Sequence, residues 1–105
     1  MSTAEPTAPG EPPTVGPVLE SGPLADAIVA AIRALNRDVV VVERGAYIRV
    51  LVPLRCRVTR DEIQRHAARD FRLPSDLEAV MPSFKGRLSI DGEEVVWDAR
   101  GEQAP

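Results

Sequence analysis

Histidine and cysteine are the residues that nucleophilic and redox mechanisms most often need, and this chain has one of each, His66 and Cys56. His66 stands four residues before Asp70, a spacing that on a helix could let a carboxylate orient an imidazole for base catalysis. No serine, cysteine or second acid joins the pair locally, so the base has no nucleophile to serve. Cys56 alternates with Leu54 and Val58 between two arginines, which makes it a small core residue rather than a reactive thiol. A lone cysteine also excludes an intrachain disulfide and any paired-cysteine metal or redox motif. Neither a Gly-rich phosphate loop nor a flavin or nicotinamide fingerprint is present. The expected catalytic set is therefore empty, and no metal or cofactor is expected. Tyr47 and Arg49 are the only plausible pair for a small-molecule pocket. These residues suit binding and modulation better than turnover.

The chain has 105 residues, enough for one domain and not two. Its net charge of -3 lacks the electrostatic term on which nucleic-acid binding relies. The aromatics are Tyr47, Phe71, Phe84 and Trp97, too few for a base-stacking platform. No run approaches the roughly 18 apolar residues that cross a bilayer. No basic stretch leads into an apolar one at the N-terminus, so no signal peptide is read. The expectation is a cytoplasmic protein, monomeric when free, with neither nucleic acid nor membrane as partner.

The elements that would position these residues follow from periodicity. Residues 1–14 hold Pro6, Pro9, Pro12 and Pro13 among small and polar residues, the composition of a disordered tail. Residues 15–99 form the single domain, and 100–105 a frayed C-terminal tail. Val15 to Glu20 reads as a strand, with Pro17 suggesting an edge position. Ser21 supplies a cap and Pro23 a first helical turn. Leu24, Ala27, Ile28, Ala31, Ile32 and Leu35 then follow helical spacing.

Four consecutive valines, Val39 to Val42, suit a pleated strand. With Arg44-Gly45 as a two-residue turn, Val42 faces Tyr47, Val41 faces Ile48 and Val39 faces Val50. Val39, Val41, Ile48, Val50 and Val52 make one apolar face. Val40, Val42, Tyr47, Arg49 and Leu51 make the other, either a second core layer, which is the expectation, or a surface for a partner.

Next, Leu54, Cys56 and Val58 alternate inward. Thr59 and Glu62 form a capping box for a helix carrying Ile63, Ala67 and Phe71. Pro74 ends it, and Ser75 to Glu78 is a second capping box, with Leu77, Val80 and Met81 inward. The last hairpin turns at Asp91-Gly92, pairing Leu88 with Val95, Gly86 with Trp97 and Lys85 with Asp98. Phe84, Gly86, Leu88, Val95 and Trp97 then share a face, with Trp97 covering Gly86. The order amounts to a βαββ unit used twice. The fold class is α+β, helices packed on β-sheet.

Three blocks, Val15 to Val18, Val42 to Val50 and Ser83 to Leu88, resemble in order and spacing those of the effector (coupling, regulatory) proteins of soluble diiron monooxygenases. That family includes methane monooxygenase component B and the phenol hydroxylase coupling protein. The short tail is more similar to the toluene and alkene monooxygenase effectors. The resemblance implies a cofactor-free protein that docks on the diiron hydroxylase component. There it would tune conformation, oxygen activation and the coupling of NADH use to hydrocarbon oxidation. By position it also implies hydroxylase contacts at Met81, Pro82, Ser83, Phe84 and Gly86. Tyr47 and Arg49 join them as contact candidates. Lys85 departs from the small residue of some members. For Phe84 a core role stands ahead of contact; for Ser83 the order reverses. The rival reading is a small-molecule-sensing regulatory domain with a ferredoxin-like core.

Overall fold

The computed structural model describes residues 12–99. The elements are β1 (Thr14–Glu20), α1 (Pro23–Leu35), β2 (Val40–Arg44), β3 (Tyr47–Pro53) and β4 (Arg55–Thr59), then α2 (Arg60–Ala67), α3 (Ser75–Val80), β5 (Ser83–Lys85), β6 (Arg87–Ile90) and β7 (Glu94–Asp98). They build two antiparallel sheets, ordered β2-β3-β1-β5 and β4-β7-β6. Each half sets its last strand between its other two, β2-β3-β1 in one and β6-β7-β4 in the other, so the two βαββ units share a topology. The added strand β5 leaves the second half to pair with β1. The α+β class is as expected. Among the described residues no helix is long and apolar enough to cross a membrane. The expected tails, apart from Pro12 to Thr14, lie outside the described residues. Thr14 already belongs to β1, and the Pro13 carbonyl accepts from the Leu54 N–H at 2.9 Å.

Helix α1 buries Ala25, Ala27, Ile28, Ala31 and Ile32 and packs on α2 and β4. Leu35, at the end of the stripe, is exposed. Ser21 does not cap the helix; its hydroxyl donates to the Gly45 carbonyl at 2.9 Å, and Gly22 takes the cap position. The other end is held by Asn36. Its Nδ2 donates to the Ile32 and Arg57 carbonyls at 2.8 and 2.7 Å, and its Oδ1 accepts from the Arg57 N–H at 3.0 Å. The amide thus pairs with β4, an edge strand, much as a neighbouring strand would. Asn36→Ala strands two part-buried backbone groups and should cost about 1–3 kcal/mol in urea denaturation. A change within about 0.5 kcal/mol, the usual surface range, would mean that water replaces the amide.

Both hairpins turn one residue later than the sequence suggests. Val41 pairs with Val50 and Arg44 with Tyr47, around Gly45-Ala46. Leu88 pairs with Trp97 and Ile90 with Val95, around Gly92-Glu93. In the second, the Asp91 carboxylate accepts from the Glu93 and Glu94 N–H groups at 2.7 and 2.9 Å, which makes it the first residue of the turn. Those backbone bonds, Glu93's first, hold its carboxyl below the usual range.

Other expectations are corrected by tertiary pairing. Pro17 is buried in an interior strand; the ladder to β3 lapses at Gly16 and Pro17, so the missing N–H is not needed there. Leu54 is 53% exposed, because its left-handed φ of 66° turns the chain from one sheet to the other and breaks the alternation. Its carbonyl accepts from the Ala99 N–H at 2.9 Å.

Helix α2 keeps its cap, the Glu62 N–H donating to Thr59 Oγ1 at 3.2 Å. It ends at Ala67, before the Phe71 expected on it. Ala68 at φ 56° reverses the chain, and Phe71 reaches the core from the loop with its N–H on Gln64 Oε1 at 2.9 Å. His66 consequently meets Glu62, with Nε2 and Oε2 3.2 Å apart, rather than Asp70. The second capping box does not form: Pro74 holds the cap position, and Asp76 accepts from the Arg72 N–H at 2.8 Å.

Trp97 is fully buried, but it covers Leu88 and Cys56 rather than Gly86. A Cβ on Gly86 would lie 2.7 Å from Val15 Cγ1, and its φ of 108° marks where the chain leaves β1's sheet for the second. Phe84 belongs to β5 and is 43% exposed, so the core role expected for it is not taken.

Candidate functional site

The outer face of the four-stranded sheet was expected as a second core layer, yet nothing covers it among the described residues. Val40 and Tyr47 are 53% and 44% exposed, and Val42, Arg49 and Leu51 are half-buried. The helices lie elsewhere, and one side of an antiparallel sheet can face water. Pairing sets the layout. Val42, Arg49, Val18 and Ser83 stand opposite one another across all four strands. Two residues along, Arg44, Tyr47 and Glu20 form a second row. In the other direction lie Val40 and Leu51 on β2 and β3, with Lys85 on β5.

Val18, Arg44, Tyr47, Arg49 and Ser83 line an open depression of about 410 Å³ on this face. Of the residues predicted from sequence, it gathers Tyr47, Arg49 and Ser83. The rest of the set disperses. Met81 is buried in the core beside Leu77. Pro82 is exposed just ahead of β5. Phe84 pairs with Pro17 and so points to the opposite side of β5 from Ser83. Gly86 is half-buried against Val15. Val18 and Arg44 were missed. Arg44 was assigned to the turn, and a hairpin centred on Gly45-Ala46 would have placed it beside Tyr47. Val18 reaches the face only because β1 lies between β3 and β5, which no local pattern shows.

The depression has arginines, a phenol and a hydroxyl around apolar floor residues. This chemistry recognises a surface with carboxylates or backbone carbonyls. Among the described residues no group of three or more His, Cys, Asp or Glu could hold a metal. Burial pushes the Cys56 thiol up to about 12, so it stays protonated at neutral pH, as a core residue should.

The MmoB/DmpM family model matches residues 13–98. The alkene monooxygenase effector subunit of Xanthobacter autotrophicus (strain ATCC BAA-1158 / Py2) is 45% identical over 85 residues, 79% of this chain and 83% of that protein. A chain in a structure of a phenol hydroxylase–regulatory protein complex superposes with a TM-score of 0.71, covering 81% of this chain and 95% of its own. At 16% identity, that likeness speaks for the fold. Family match, curated relative and shared architecture agree across nearly all the described residues, and the chain belongs to the MmoB/DmpM family.

Proposed function

We propose that this chain is the effector of a multicomponent soluble diiron monooxygenase and binds the hydroxylase component through the outer face of β3, β1 and β5. The observation that carries the reading is the 45% identity with an alkene monooxygenase effector subunit. The open face supports it by offering an anchor of the usual kind, Tyr47 and Arg49 over apolar neighbours. Tyr47 stands on a sheet surface, whereas the rival reading of a small-molecule sensor needs a walled cleft.

The effector supplies none of the reacting groups. It changes the hydroxylase's rate by binding one of its conformations better than another. Conformation, oxygen activation and the capture of NADH electrons as oxidised hydrocarbon are tuned together in this way. Stimulation saturates near one effector per hydroxylase active site.

The test titrates effector into hydroxylase and reductase and reads product formed per NADH consumed. Ser83→Trp, at an exposed position, should leave the fold intact and raise the half-maximal effector concentration about tenfold, or 1.4 kcal/mol. His66→Ala and Cys56→Ser should leave maximal stimulation largely unchanged. If His66→Ala abolished it in a folded protein while Ser83→Trp did nothing, both the docking face and the non-catalytic mechanism would fail.

A further inference from the structure

We infer that β6 is a self-pairing edge: two copies of this chain join antiparallel along it and make one continuous sheet from their two three-stranded ones. In the order β4-β7-β6, no strand among the described residues covers the far side of β6. The opposite edge, β4, already has the Asn36 amide against it. An uncovered edge is a template for another strand.

The hydrogen-bond pattern tells which groups β6 offers. The Asp91 N–H donates to the Glu94 carbonyl at 3.1 Å, which makes Asp91 and Glu94 a hydrogen-bonded pair. Such pairs alternate along an antiparallel ladder, so Ser89 with Val96 and Arg87 with Asp98 are the next two. Leu88 and Ile90 therefore turn their backbone N–H and C=O groups away from β7, toward the open side.

A second copy meets these groups in the register centred on Ser89. Leu88 of each copy then faces Ile90 of the other, as a hydrogen-bonded pair. Both side chains are half-buried and share the face of Trp97 and Val95, so the pairing extends the core side of the sheet. On the other face, Arg87 of each copy meets Asp91 of the other. Both are exposed, and the Glu93 and Glu94 N–H groups rest on Asp91 Oδ1, which leaves Oδ2 for a guanidinium. Apolar pairs and opposite charges directly across strands both stabilise, and this register supplies each twice.

The edge strand β2 does not suit itself in this way. Its hydrogen-bonded pair Arg44–Tyr47 turns the Val41 and Glu43 backbones outward, and self-pairing there sets Val41 against Glu43 and Val40 against Arg44. Apolar would meet charge throughout. At β6 the complementarity is real but the strand has only four residues. It buries much less than the roughly 1,000 Å² of a stable interface, so the chain is monomeric when dilute and pairs at about millimolar concentration.

Sedimentation equilibrium of the full chain should show the mean mass rising from monomer toward dimer as concentration approaches about 1 mM. In ¹⁵N spectra, the amides that shift with concentration should be those of residues 87–91. Arg87→Glu, at an exposed position, sets like charges opposite each other and should weaken association about tenfold. Asp91→Lys should do the same, and in an equimolar mixture of the two variants every facing pair regains opposite signs. The mixture should recover most of the association that each variant alone has lost. Should Asp91→Lys open the turn and unfold the hairpin, Arg87→Glu decides alone. A monomer at every concentration, shifts at another edge, or undiminished association of Arg87→Glu would overturn the proposal. So would shifts at residues 87–91 that appear only on adding hydroxylase, which would give the edge to that partner. The self-association arms contain no hydroxylase, and the pairing uses no residue of the outer face of β3, β1 and β5, so its failure would leave the effector reading standing.

Discussion

Trp97→Ala should cost the fold about 3–5 kcal/mol, the range for deleting a large aromatic from a core. Trp97 is the largest fully buried side chain and is held by strand pairing between Cys56 on β4 and Leu88 on β6. Truncation opens a cavity where the second sheet meets the rest of the core. The indole N–H has no hydrogen-bond partner among the described residues. That unpaired donor already costs about 1–3 kcal/mol, so Trp97→Phe, which removes it, should lose far less than Trp97→Ala. Urea denaturation followed by circular dichroism separates the two variants. Lys85→Ala, an exposed control, should stay under about 1 kcal/mol. Matching losses for Trp97→Ala and Lys85→Ala would take the indole out of the core.

Gly16→Ala is expected to be comparably damaging, although it adds only a methyl group. The glycine sits at φ 145°, and a Cβ there would run into the Val50 carbonyl oxygen of β3. That obstacle is backbone inside a sheet and cannot rotate away. Strain of about 1–3 kcal/mol from the dihedral and a similar amount from overpacking give about 2–6 kcal/mol together. Gly45 separates the two contributions: it has φ 65° with nothing within 4 Å of its would-be Cβ. Gly45→Ala should therefore lose only the dihedral part, about 1–2 kcal/mol. Similar thermal midpoints for the two variants would show that β1 shifts freely away from β3.

Much of this architecture could be read locally. Helix α1 was visible because its apolar stripe repeats without interruption from Leu24 to Ile32. Strand faces came out right even where hairpin pairs did not, because an error of two residues preserves the alternation. Ile48, Val50 and Val52 are buried while Val40 and Tyr47 are exposed. The division into two sheets was not legible. It depends on Leu54 and Gly86 turning the chain between them, and Leu54 carries no residue-type signal for a left-handed conformation. The candidate site suffered for the same reason. Ser83 joins Tyr47 and Arg49 across β1, and Pro17 argued that β1 was an edge. Reading along the chain kept Met81 to Gly86 together, whereas strand alternation sends Ser83 and Phe84 to opposite sides.

Leu54 has a mechanical consequence. Its N–H is bonded to Pro13, at the entry to the first sheet, and its carbonyl to Ala99, at the exit from the second. The residue at which the chain first crosses between its sheets is thus hydrogen-bonded close to both ends of the described residues. A two-unit chain without such stitching would have a natural hinge at its midpoint. Here, fraying either end loosens the crossing, and bending the crossing breaks bonds at both ends. The halves are therefore expected to open together as a single foldon, with amides of both sheets sharing one exchange rate in hydrogen exchange. For the effector role proposed above, that rigidity has a consequence: a binding face that does not yield to the shape it meets leaves the partner to adapt.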